Sequence, residues 1–421
     1  MELFAPRGTN DILPDAVGGW QYLERIVRET CERYGYREIR LPLFEHTEVF
    51  ARGVGETTDI VEKEMYTFQD RSGRSLTLRP EGTAQVVRAF IEHKLYGKAL
   101  PFKVYYIGPM FRYERPQKGR YRQFHQFGVE ALGSASPLLD VEMIALPISL
   151  YRAAGLHEFE VHINSIGCHV CRPAYREKLT AYLSERREAL CPTCLERLER
   201  NPLRVLDCKN PGCREATEGA PKSHEHLCTE CHDHFSTVRA GLDAVGIRYV
   251  LNPRLVRGLD YYSRTVFELI GLDLGAQDAL GGGGRYDGLV EQCGGPPTPA
   301  VGFAVGMERL LLSLEARDAL RSDGRAPQVY VAALGDAARS RALEIALAMR
   351  QAGLRTELDY EDRSLKAQMR TAQRSGAQYV VILGDDELAA GRAAVRKMAT
   401  GEQSEVPLTG IVQWLEGRVN G

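Results

Sequence analysis

The strongest local concentration of positive charge in this chain lies between residues 103 and 122. This segment holds six basic residues and one acid, Glu114, so its local charge is +5, whereas the whole chain has a formal net charge of −2. The basic residues are Lys103, Arg112, Arg115, Lys118, Arg120 and Arg122. A basic run is most often a solvated loop. The alternative is a binding site for an extended polyanion.

The flanks of the basic segment favour the binding site. Residues 102–111 and 123–132 are rich in aromatic and β-branched side chains, which are typical of strands. We therefore predict an antiparallel hairpin whose long, charged connection is held over a sheet. Loops positioned by a rigid scaffold are common sites of function.

The return strand of this hairpin carries polar residues at alternate positions. Because side chains alternate between the two faces of a strand, Gln126, Gly128 and Glu130 share one face. An amide and a carboxylate then flank a residue without a side chain, which predicts a slot for a small polar ligand. An ordinary solvent face is the alternative, although Gly108 on the outgoing strand also favours a site floor.

A second candidate site is a cluster of cysteines. Eight of the ten cysteines fall within residues 168–231, interleaved with histidines. They are Cys168, Cys171, Cys191, Cys194, Cys208, Cys213, Cys228 and Cys231. Without a secretory signal, this pattern indicates structural Zn²⁺ more than disulfides. Reduced thiols in a tolerated insertion are the alternative, since the spacing is not that of a single regular zinc ribbon.

Three later segments also suggest ligand contacts. Arg257 precedes Gly258 in a polar and aromatic turn over residues 255–262. Four consecutive glycines at residues 281–284 allow a close approach of the backbone to a ligand, although a flexible turn is the simpler alternative. A glycine-punctuated strand over residues 300–306 leads into a helix with Arg309 in its first turn. The phosphate-binding P-loop motif is absent from the sequence.

The elements that must hold these residues indicate an α+β protein. The chain has 421 residues, 44% of them hydrophobic and 26% charged, which is typical of a globular protein of two or three domains. We predict short strands, a helix from Pro80 to about Tyr96, and then long antiparallel strands. No apolar run reaches the ~18 residues that span a bilayer, and no signal peptide is evident, so a cytoplasmic location is expected.

Two domains follow from this pattern. Residues 1–325 form the predicted catalytic domain, interrupted by a cysteine-rich, helical insertion at residues 168–245. Residues 326–421 alternate strands with helices and are predicted to form a small α/β binding module.

Taken together, these segments resemble the histidyl-tRNA synthetases of bacterial type, a family of class II aminoacyl-tRNA synthetases. Residues 111–114 (Phe-Arg-Tyr-Glu) are similar to class II motif two, residues 302–309 to motif three, and the strand at residues 36–42 to motif one at a dimer interface. Residues 255–262 and 282–288 resemble the two histidine-specific signatures. The resemblance covers essentially the whole chain except the cysteine cluster.

This resemblance implies a two-step reaction on a homodimeric enzyme with an antiparallel catalytic sheet and a C-terminal anticodon-binding domain. L-Histidine and ATP, bound with Mg²⁺, would form histidyl-adenylate and pyrophosphate. The histidyl group would then pass to histidine tRNA, releasing AMP. Because the substrate carboxylate is itself the nucleophile, catalysis depends on cations and positioning.

The resemblance also implies roles for individual residues. Arg112 and Arg257 would be catalytic and contact the α-phosphate, while Arg309 and Glu114 would contact the γ-phosphate and the adenine. The residues implied in histidine binding are Glu81, Gly82, Thr83, Gln126, Glu130, Arg257, Tyr261 and Tyr262. Those implied near the tRNA acceptor end are Arg115, Gln117 and Arg122.

Two other classes of function are compatible with parts of the sequence. A regulatory subunit related to this family would lose the motif arginines and the C-terminal module, both of which are present. A zinc-bearing nucleic-acid-binding protein would explain the cysteines and the basic loop, but not the ordered carboxylates and arginines elsewhere.

Overall fold

The computed structural model describes residues 3–55, 60–117, 119–272, 279–321 and 326–419. The chain divides into two compact units, Met1–Asp323 and Gly324–Gly421. Within the described ranges, no helix is both long enough and apolar enough to cross a membrane. Lys118, and most of the linker predicted around residues 321–327, lie outside the described residues.

An eight-stranded sheet forms the centre of the first unit. Its strands, in spatial order, are β1 (Arg37–Glu38), β5 (Phe102–Phe111), β6 (Gln123–Leu132), β11 (Ala300–Gly306), β10 (Ala279–Arg285), β9 (Ser263–Gly271), β7 (Phe159–Ser165) and β8 (Val250–Leu251). The pairs are antiparallel except at the two edges, where β1 runs parallel to β5 and β8 parallel to β7. The long β5–β6 hairpin and the α+β class are therefore confirmed.

Helices cover one face of this sheet. They are α1 (Pro14–Arg33), α4 (Pro137–Ala154), α8 (Thr229–Ala244) and α10 (Met307–Glu315). Their apolar stripes enclose the main core together with the sheet residues Phe127, Val129 and Phe303. The residues of β6 that alternate with these, Gln126 and Glu130, face the opposite side, as the strand pattern predicts.

The opposite face is bordered by smaller elements. A three-stranded sheet contains β2 (Phe44–His46), β4 (Ser75–Leu78) and β3 (Tyr66–Gln69) in that order. Helices α2 (Thr47–Val54), α3 (Thr83–Glu92) and α9 (Leu289–Gln292) pack beside one another there. The helix predicted from Pro80 to about Tyr96 begins instead at Thr83 and ends at Glu92. It begins late because the Glu81 carboxylate accepts the backbone N–H groups of Thr83 and Ala84 and so caps the helix.

The cysteine-rich insertion is mostly helical. It contains α5 (Arg172–Ser184), α6 (Pro192–Arg200) and α7 (Pro211–Ala216), with a 3-10 turn at Pro202–Val205 between the last two. It has its own small core, which includes Tyr175, Leu179 and Leu198. Helix α8, the last element of the predicted insertion, packs its apolar side into the main core and leads the chain back to the main sheet.

The second unit is a five-stranded sheet with helices on its faces. Its strands lie in the order β13 (Thr356–Leu358), β12 (Val329–Ala333), β14 (Tyr379–Leu383), β15 (Arg392–Lys397) and β16 (Gln403–Pro407). Its helices are α11 (Asp336–Gln351), α12 (Leu365–Ser375), α13 (Asp385–Ala389) and α14 (Ile411–Val419). The first three strands are parallel, and the apolar runs of β12 and β14 were readable from the sequence because these two strands are buried.

The alternative of a flexible turn at the four glycines is wrong. Gly281, Gly282, Gly283 and Gly284 lie in β10, paired on both sides with β9 and β11. Glycine is unfavourable in a strand in isolation, so the sequence alone favours a turn. Here the neighbouring side chains need the space that a Cβ atom would occupy.

Candidate active site

The polar face of the sheet is built from side chains in register across five strands. One row consists of Tyr106, Gly128, Ala304, Gly282 and Glu268 on β5, β6, β11, β10 and β9. In the next row, Glu130 lies opposite Gly302. The first row places small residues between two large polar ones, Tyr106 and Glu268, and the second sets Glu130 against a glycine.

The slot predicted at Gly128 is filled by the protein itself. A Cβ atom at Gly128 would lie 2.2 Å from the ring of Tyr106, and one at Gly82 would lie 2.4 Å from the same ring. Tyr106 is 2% exposed. Gly128 therefore accommodates a tyrosine from the neighbouring strand, and the ligand space lies to either side of it.

Glu130 is the buried carboxyl group of this face. Its Oε1 accepts a hydrogen bond from the Thr83 hydroxyl at 2.7 Å, and its Oε2 accepts one from the Tyr286 hydroxyl. A Cβ atom at Gly302 would lie 1.7 Å from Oε2, so only glycine leaves room for the carboxylate. Burial raises the pKa of Glu130 to about 8 despite these hydrogen bonds. This carboxyl group can therefore exchange a proton near neutral pH.

Aromatic rings surround Glu130. The rings of Tyr261 and Tyr262 are 4.6 Å apart, and those of Tyr261 and Tyr286 are 5.6 Å apart. All of these tyrosines, with Tyr106, belong to one buried cluster. Together with Glu130 they form a buried group of side chains that we call the tyrosine pocket, in which aromatic rings enclose the Glu130 carboxyl group.

Glu81 and Thr83 close one end of the tyrosine pocket. The carboxylate of Glu81 accepts the backbone N–H groups of Thr83 and Ala84 at 2.6 and 2.8 Å, which caps α3. Burial nevertheless raises the pKa of Glu81. The Thr83 side chain then points to Glu130, so the structure brings Glu81, Thr83 and Glu130 together.

Three arginines line one cleft beside this pocket. Arg112, Arg257 and Arg309 share it with Gln126 and Glu268. Three guanidinium groups around one cleft favour a ligand with several negative charges. We call this space the arginine cleft.

Each arginine in the cleft is held by a different element. Arg112 stacks over the Phe124 ring at 4.1 Å and donates to the Tyr121 carbonyl. Burial, reinforced by the neighbouring Arg120 and Arg309, lowers the pKa of Arg112 to about 10. Arg309 donates to the Ala279 carbonyl at 2.8 Å. These side chains are therefore positioned before a ligand arrives.

Arg257 enters the cleft from the loop before β9. Its Nη1 donates to Glu268 Oε1 at 2.8 Å, and its guanidinium lies 5.8 Å from the centre of the Tyr262 ring. A Cβ atom at Gly282 would lie 2.7 Å from Nη1. One of the four glycines thus provides the space through which Arg257 reaches the sheet.

Gln126 lies between the arginine cleft and the tyrosine pocket. Its Oε1 is buried and accepts no hydrogen bond from the described part of the chain. An unpaired buried amide oxygen costs free energy in the empty protein, so a ligand that donates a hydrogen bond there would bind favourably.

The remaining predicted residues do not line the arginine cleft. Glu114, Arg115 and Gln117 line a separate, adjacent cleft, where Glu114 pairs with Arg120. The Nε of Arg122 donates to the Glu114 carbonyl at 3.1 Å, and its guanidinium lies 4.4 Å from the centre of the Tyr113 ring. The basic hairpin loop is therefore a second surface, next to the site that the sheet builds.

Three residues of the site were not identified from the sequence. Tyr106 and Glu268 lie in strands whose register with β6 and β10 was unknown, and Tyr286 follows the glycines that were read as a turn. Strand alternation puts Glu268 on the same face as Val266, and because Val266 is apolar the pattern did not mark this face as part of a site. The sequence carried no signal that would pair Glu268 with Arg257.

The eight clustered cysteines separate into two sets of four. The first set is Cys168, Cys171, Cys228 and Cys231, and the second is Cys191, Cys194, Cys208 and Cys213. Within each set all sulfur atoms lie within 4.8 Å of one another. Each set has the number and type of ligands of a structural zinc site.

Comparisons with known proteins agree with this arrangement. Residues 8–310 match the family profile described as histidyl-tRNA synthetase, and residues 328–418 match that of an anticodon binding domain. A histidine–tRNA ligase from Desulforamulus reducens is 54% identical over 98% of this chain and 99% of its own length. One from Moorella thermoacetica is 55% identical over 97% of each.

Solved structures are similar as well. The apo histidyl-tRNA synthetase of S. aureus covers 99% of this chain and 100% of its own, with 38% identity and a TM-score of 0.83. An ATP phosphoribosyltransferase regulatory subunit/histidyl-tRNA synthetase from Bacillus halodurans has a TM-score of 0.65 at 24% identity, which indicates a shared fold only.

Proposed function

Since this chain belongs to the histidyl-tRNA synthetase family and catalyses the ATP-dependent attachment of histidine to tRNA, we propose that its two adjoining spaces divide the substrates. The arginine cleft holds the triphosphate of ATP, which arrives with Mg²⁺ as part of the substrate. The tyrosine pocket holds the histidine side chain. The observation that carries this proposal is the convergence of Arg112, Arg257 and Arg309 beside the buried Glu130.

The two steps of the reaction are consistent with one space for ATP and one for histidine. A carboxylate oxygen of histidine attacks the α-phosphorus, the bond to the bridging oxygen of pyrophosphate breaks, and histidyl-adenylate forms. In the second step a hydroxyl of the terminal adenosine of tRNA attacks the acyl carbon, and AMP leaves. Both reactants of the first step are anionic, so fixed guanidinium groups reduce their repulsion and stabilise the pentavalent state.

Arg112 and Arg257 contact the α-phosphate in this proposal, and Arg309 the γ-phosphate. Arg257 also reaches the histidine carboxylate, and Gln126, whose buried amide oxygen has no partner among the described residues, is proposed to accept a hydrogen bond from the α-amino group. Glu114, in the adjacent cleft, is proposed to face the adenine. Arg115, Gln117 and Arg122 belong to the basic hairpin loop, which is the proposed surface for the acceptor end of tRNA.

The tyrosine pocket is proposed to recognise imidazole through Glu130. An imidazole N–H donates to the carboxylate, while Tyr261 and Tyr262 contact the ring. Glu81 and Thr83, with the backbone at Gly82, are proposed to hold the α-amino group. Near neutral pH Glu130 is protonated in the empty pocket and can pass its proton to a bound imidazole, so the resulting carboxylate and the aromatic walls favour a planar ring that takes up a proton in this range.

We propose that the second unit reads the anticodon. Deleting residues 326–421 should leave histidine-dependent ATP–pyrophosphate exchange largely intact, because both spaces lie in the first unit. Charging of tRNA should fall about tenfold or more, since each ~1.4 kcal/mol of lost binding is a factor of ten. Exchange and charging are measured on the same preparation. A truncated chain that charges tRNA as well as the full chain would refute the role.

We also propose that the chain works as a homodimer in the cytoplasm. The three-stranded sheet exposes one apolar face, on which Phe44 is 52% and Phe68 is 45% exposed. Exposed apolar patches of this kind mark interaction surfaces. Light scattering should give twice the chain mass of 47.0 kDa, and Phe44→Ser together with Phe68→Ser should shift it toward one chain. A monomeric parent protein would contradict the proposal.

For the cofactor of the insertion, we propose structural zinc. Four thiolates in a tetrahedral arrangement are a common structural zinc site. The ten cysteines are all free, so none of the eight is committed to a disulfide.

A further inference from the structure

The loop that carries Arg257 is held in place by the cysteine-rich insertion. Asn201 Nδ2 donates to Asp260 Oδ1 at 2.9 Å, and Arg204 Nη1 approaches the carbonyl of Arg257 at 3.5 Å. Val256, the residue before Arg257, packs against the core of the insertion. The short segment from residue 201 to residue 205 therefore forms one wall behind this loop.

The second cysteine set encloses that segment. Cys191 and Cys194 lie at the start of α6, which leads into the segment, and Cys208 and Cys213 follow it. Two of these thiols, Cys194 and Cys213, are fully buried in the insertion core. The secondary structure here is short, because α7 has only six residues and Pro202–Val205 is a single 3-10 turn, so this region is held by the insertion core and by the second cysteine set.

The sulfur geometry of the second set is that of a single metal ion. Cys191 Sγ and Cys208 Sγ are 3.9 Å apart, and the backbone N–H of Cys191 points to Cys213 Sγ at 3.1 Å. Tetrahedral zinc with Zn–S bonds of about 2.3 Å requires sulfur atoms about 3.8 Å apart. Four converging thiols are not needed for packing, since an apolar core can be filled without them.

The first set lies where the insertion leaves and rejoins the main domain. Cys168 Sγ is 3.8 Å from Cys171 Sγ and 3.9 Å from Cys228 Sγ, although Cys228 is 60 residues away in the chain. Arg172, which begins α5 directly after Cys171, donates to the carbonyl of Tyr262 at 2.6 Å. The first set thus supports the other end of the loop that carries Arg257.

We infer that the insertion binds two zinc ions, one in each set, and that the second ion positions Arg257 by fixing the segment from Asn201 to Arg204. This inference rests on the proposed role of Arg257 in adenylation. A small unit without a large core gains its order from metal binding. Electrostatic catalysis by Arg257 depends on its being oriented before the reaction, so zinc in the insertion supports catalysis without contacting a substrate.

Metal content is the first test. The full-length protein, dialysed against metal-free buffer, should contain two equivalents of zinc by mass spectrometry, and X-ray absorption should show four sulfur ligands at about 2.3 Å. Cys208→Ser and Cys228→Ser should each retain one equivalent. Cys293→Ala removes a cysteine outside both sets and should retain two. A natively folded protein without zinc at these thiols, or with iron instead, would overturn the assignment.

The positioning role needs variants that keep both ions. Asn201→Ala and Arg204→Ala remove the contacts to the loop but no metal ligand, so zinc content should stay at two equivalents. Histidine-dependent exchange should fall about tenfold in kcat for the double variant, with smaller changes in the Michaelis constants for ATP and histidine. This readout does not depend on whether Cys208→Ser folds.

The outcomes separate the inference from the function on which it rests. If the double variant keeps two equivalents of zinc and has a reduced kcat, the result supports both the two zinc sites and the positioning of Arg257. A wild-type kcat in that variant, or in a folded Cys208→Ser protein that has lost one ion, would refute positioning. If Arg257→Ala itself retains normal exchange, the proposed role of Arg257 fails, whereas the zinc content still reports on the two sites.

Discussion

Replacing Arg257 with alanine is expected to lower the rate of histidine-dependent ATP–pyrophosphate exchange by at least 10²–10³, the loss that follows removal of one preorganised donor. Glu268 and the Tyr262 ring hold the guanidinium in the arginine cleft before substrates bind. Charge is most concentrated in the pentavalent state, so the donors act most strongly there. The Michaelis constants for ATP and histidine should therefore change less than kcat.

Two further variants test whether the loss of rate comes from the guanidinium group of Arg257. Arg257→Lys should recover only part of the rate, because an ammonium group cannot span two oxygens in the geometry of a guanidinium. Arg254→Ala is the matched control from the same loop, since Arg254 contacts the Arg214 carbonyl and does not line the cleft. An Arg257→Ala enzyme with near-normal kcat but weak ATP binding would show that Arg257 is only a binding contact.

The second large effect is expected at Glu130. Glu130→Gln should raise the Michaelis constant for histidine about 30-fold or more, because disrupting a buried, charged hydrogen-bonded pair costs roughly 2–5 kcal/mol and each ~1.4 kcal/mol is a factor of ten. The Michaelis constant for ATP should be nearly unchanged, since the arginine cleft is left intact. Steady-state exchange with each substrate varied in turn measures both. An unchanged Michaelis constant for histidine would rule out this role.

The same substitution should stabilise the empty protein. Burial raises the pKa of Glu130 to about 8 from an ordinary value near 4.5. Between these values the folded state holds a proton that the unfolded state has released, so wild-type stability decreases as the pH rises from about 5 to 8. Glu130→Gln removes this dependence. Its advantage in thermal unfolding should therefore grow with pH, by up to a few kcal/mol.

Glu142→Gln is a suitable control for both Glu130 measurements. Glu142 lies on α4 and pairs with Lys103 and Tyr36, away from both substrate spaces. It should change neither the Michaelis constant for histidine nor the pH dependence described for Glu130. A Glu130→Gln protein that loses stability more steeply than wild type with rising pH would contradict the assigned proton.

Local patterns were sufficient to predict much of this fold. The hairpin at residues 102–111 and 123–132 has the predicted bounds, because its strands are long and rich in β-branched and aromatic residues. Alternation along β6 placed Gln126 and Glu130 on one face without knowledge of their neighbours. Buried parallel strands such as Tyr379–Leu383 were equally evident.

Contacts between the side chains of different strands could not be predicted in this way. Gly128 suggested a ligand slot, but the register of β5 with β6 puts Tyr106 there. The glycines at residues 281–284 suggested a turn, whereas Arg257 and the neighbouring strands need the space above them. The cysteines suggested zinc, but spacing along the chain did not indicate which four would meet. In each case the deciding fact is a tertiary distance.

If the tyrosine pocket selects histidine while the arginine cleft activates it with ATP, the full-length protein should catalyse ATP–pyrophosphate exchange with histidine alone. This is measured separately with each of the twenty amino acids, and the exchange with histidine should be lost in Arg257→Ala. Equal or faster exchange with any other amino acid would show that the tyrosine pocket does not select histidine.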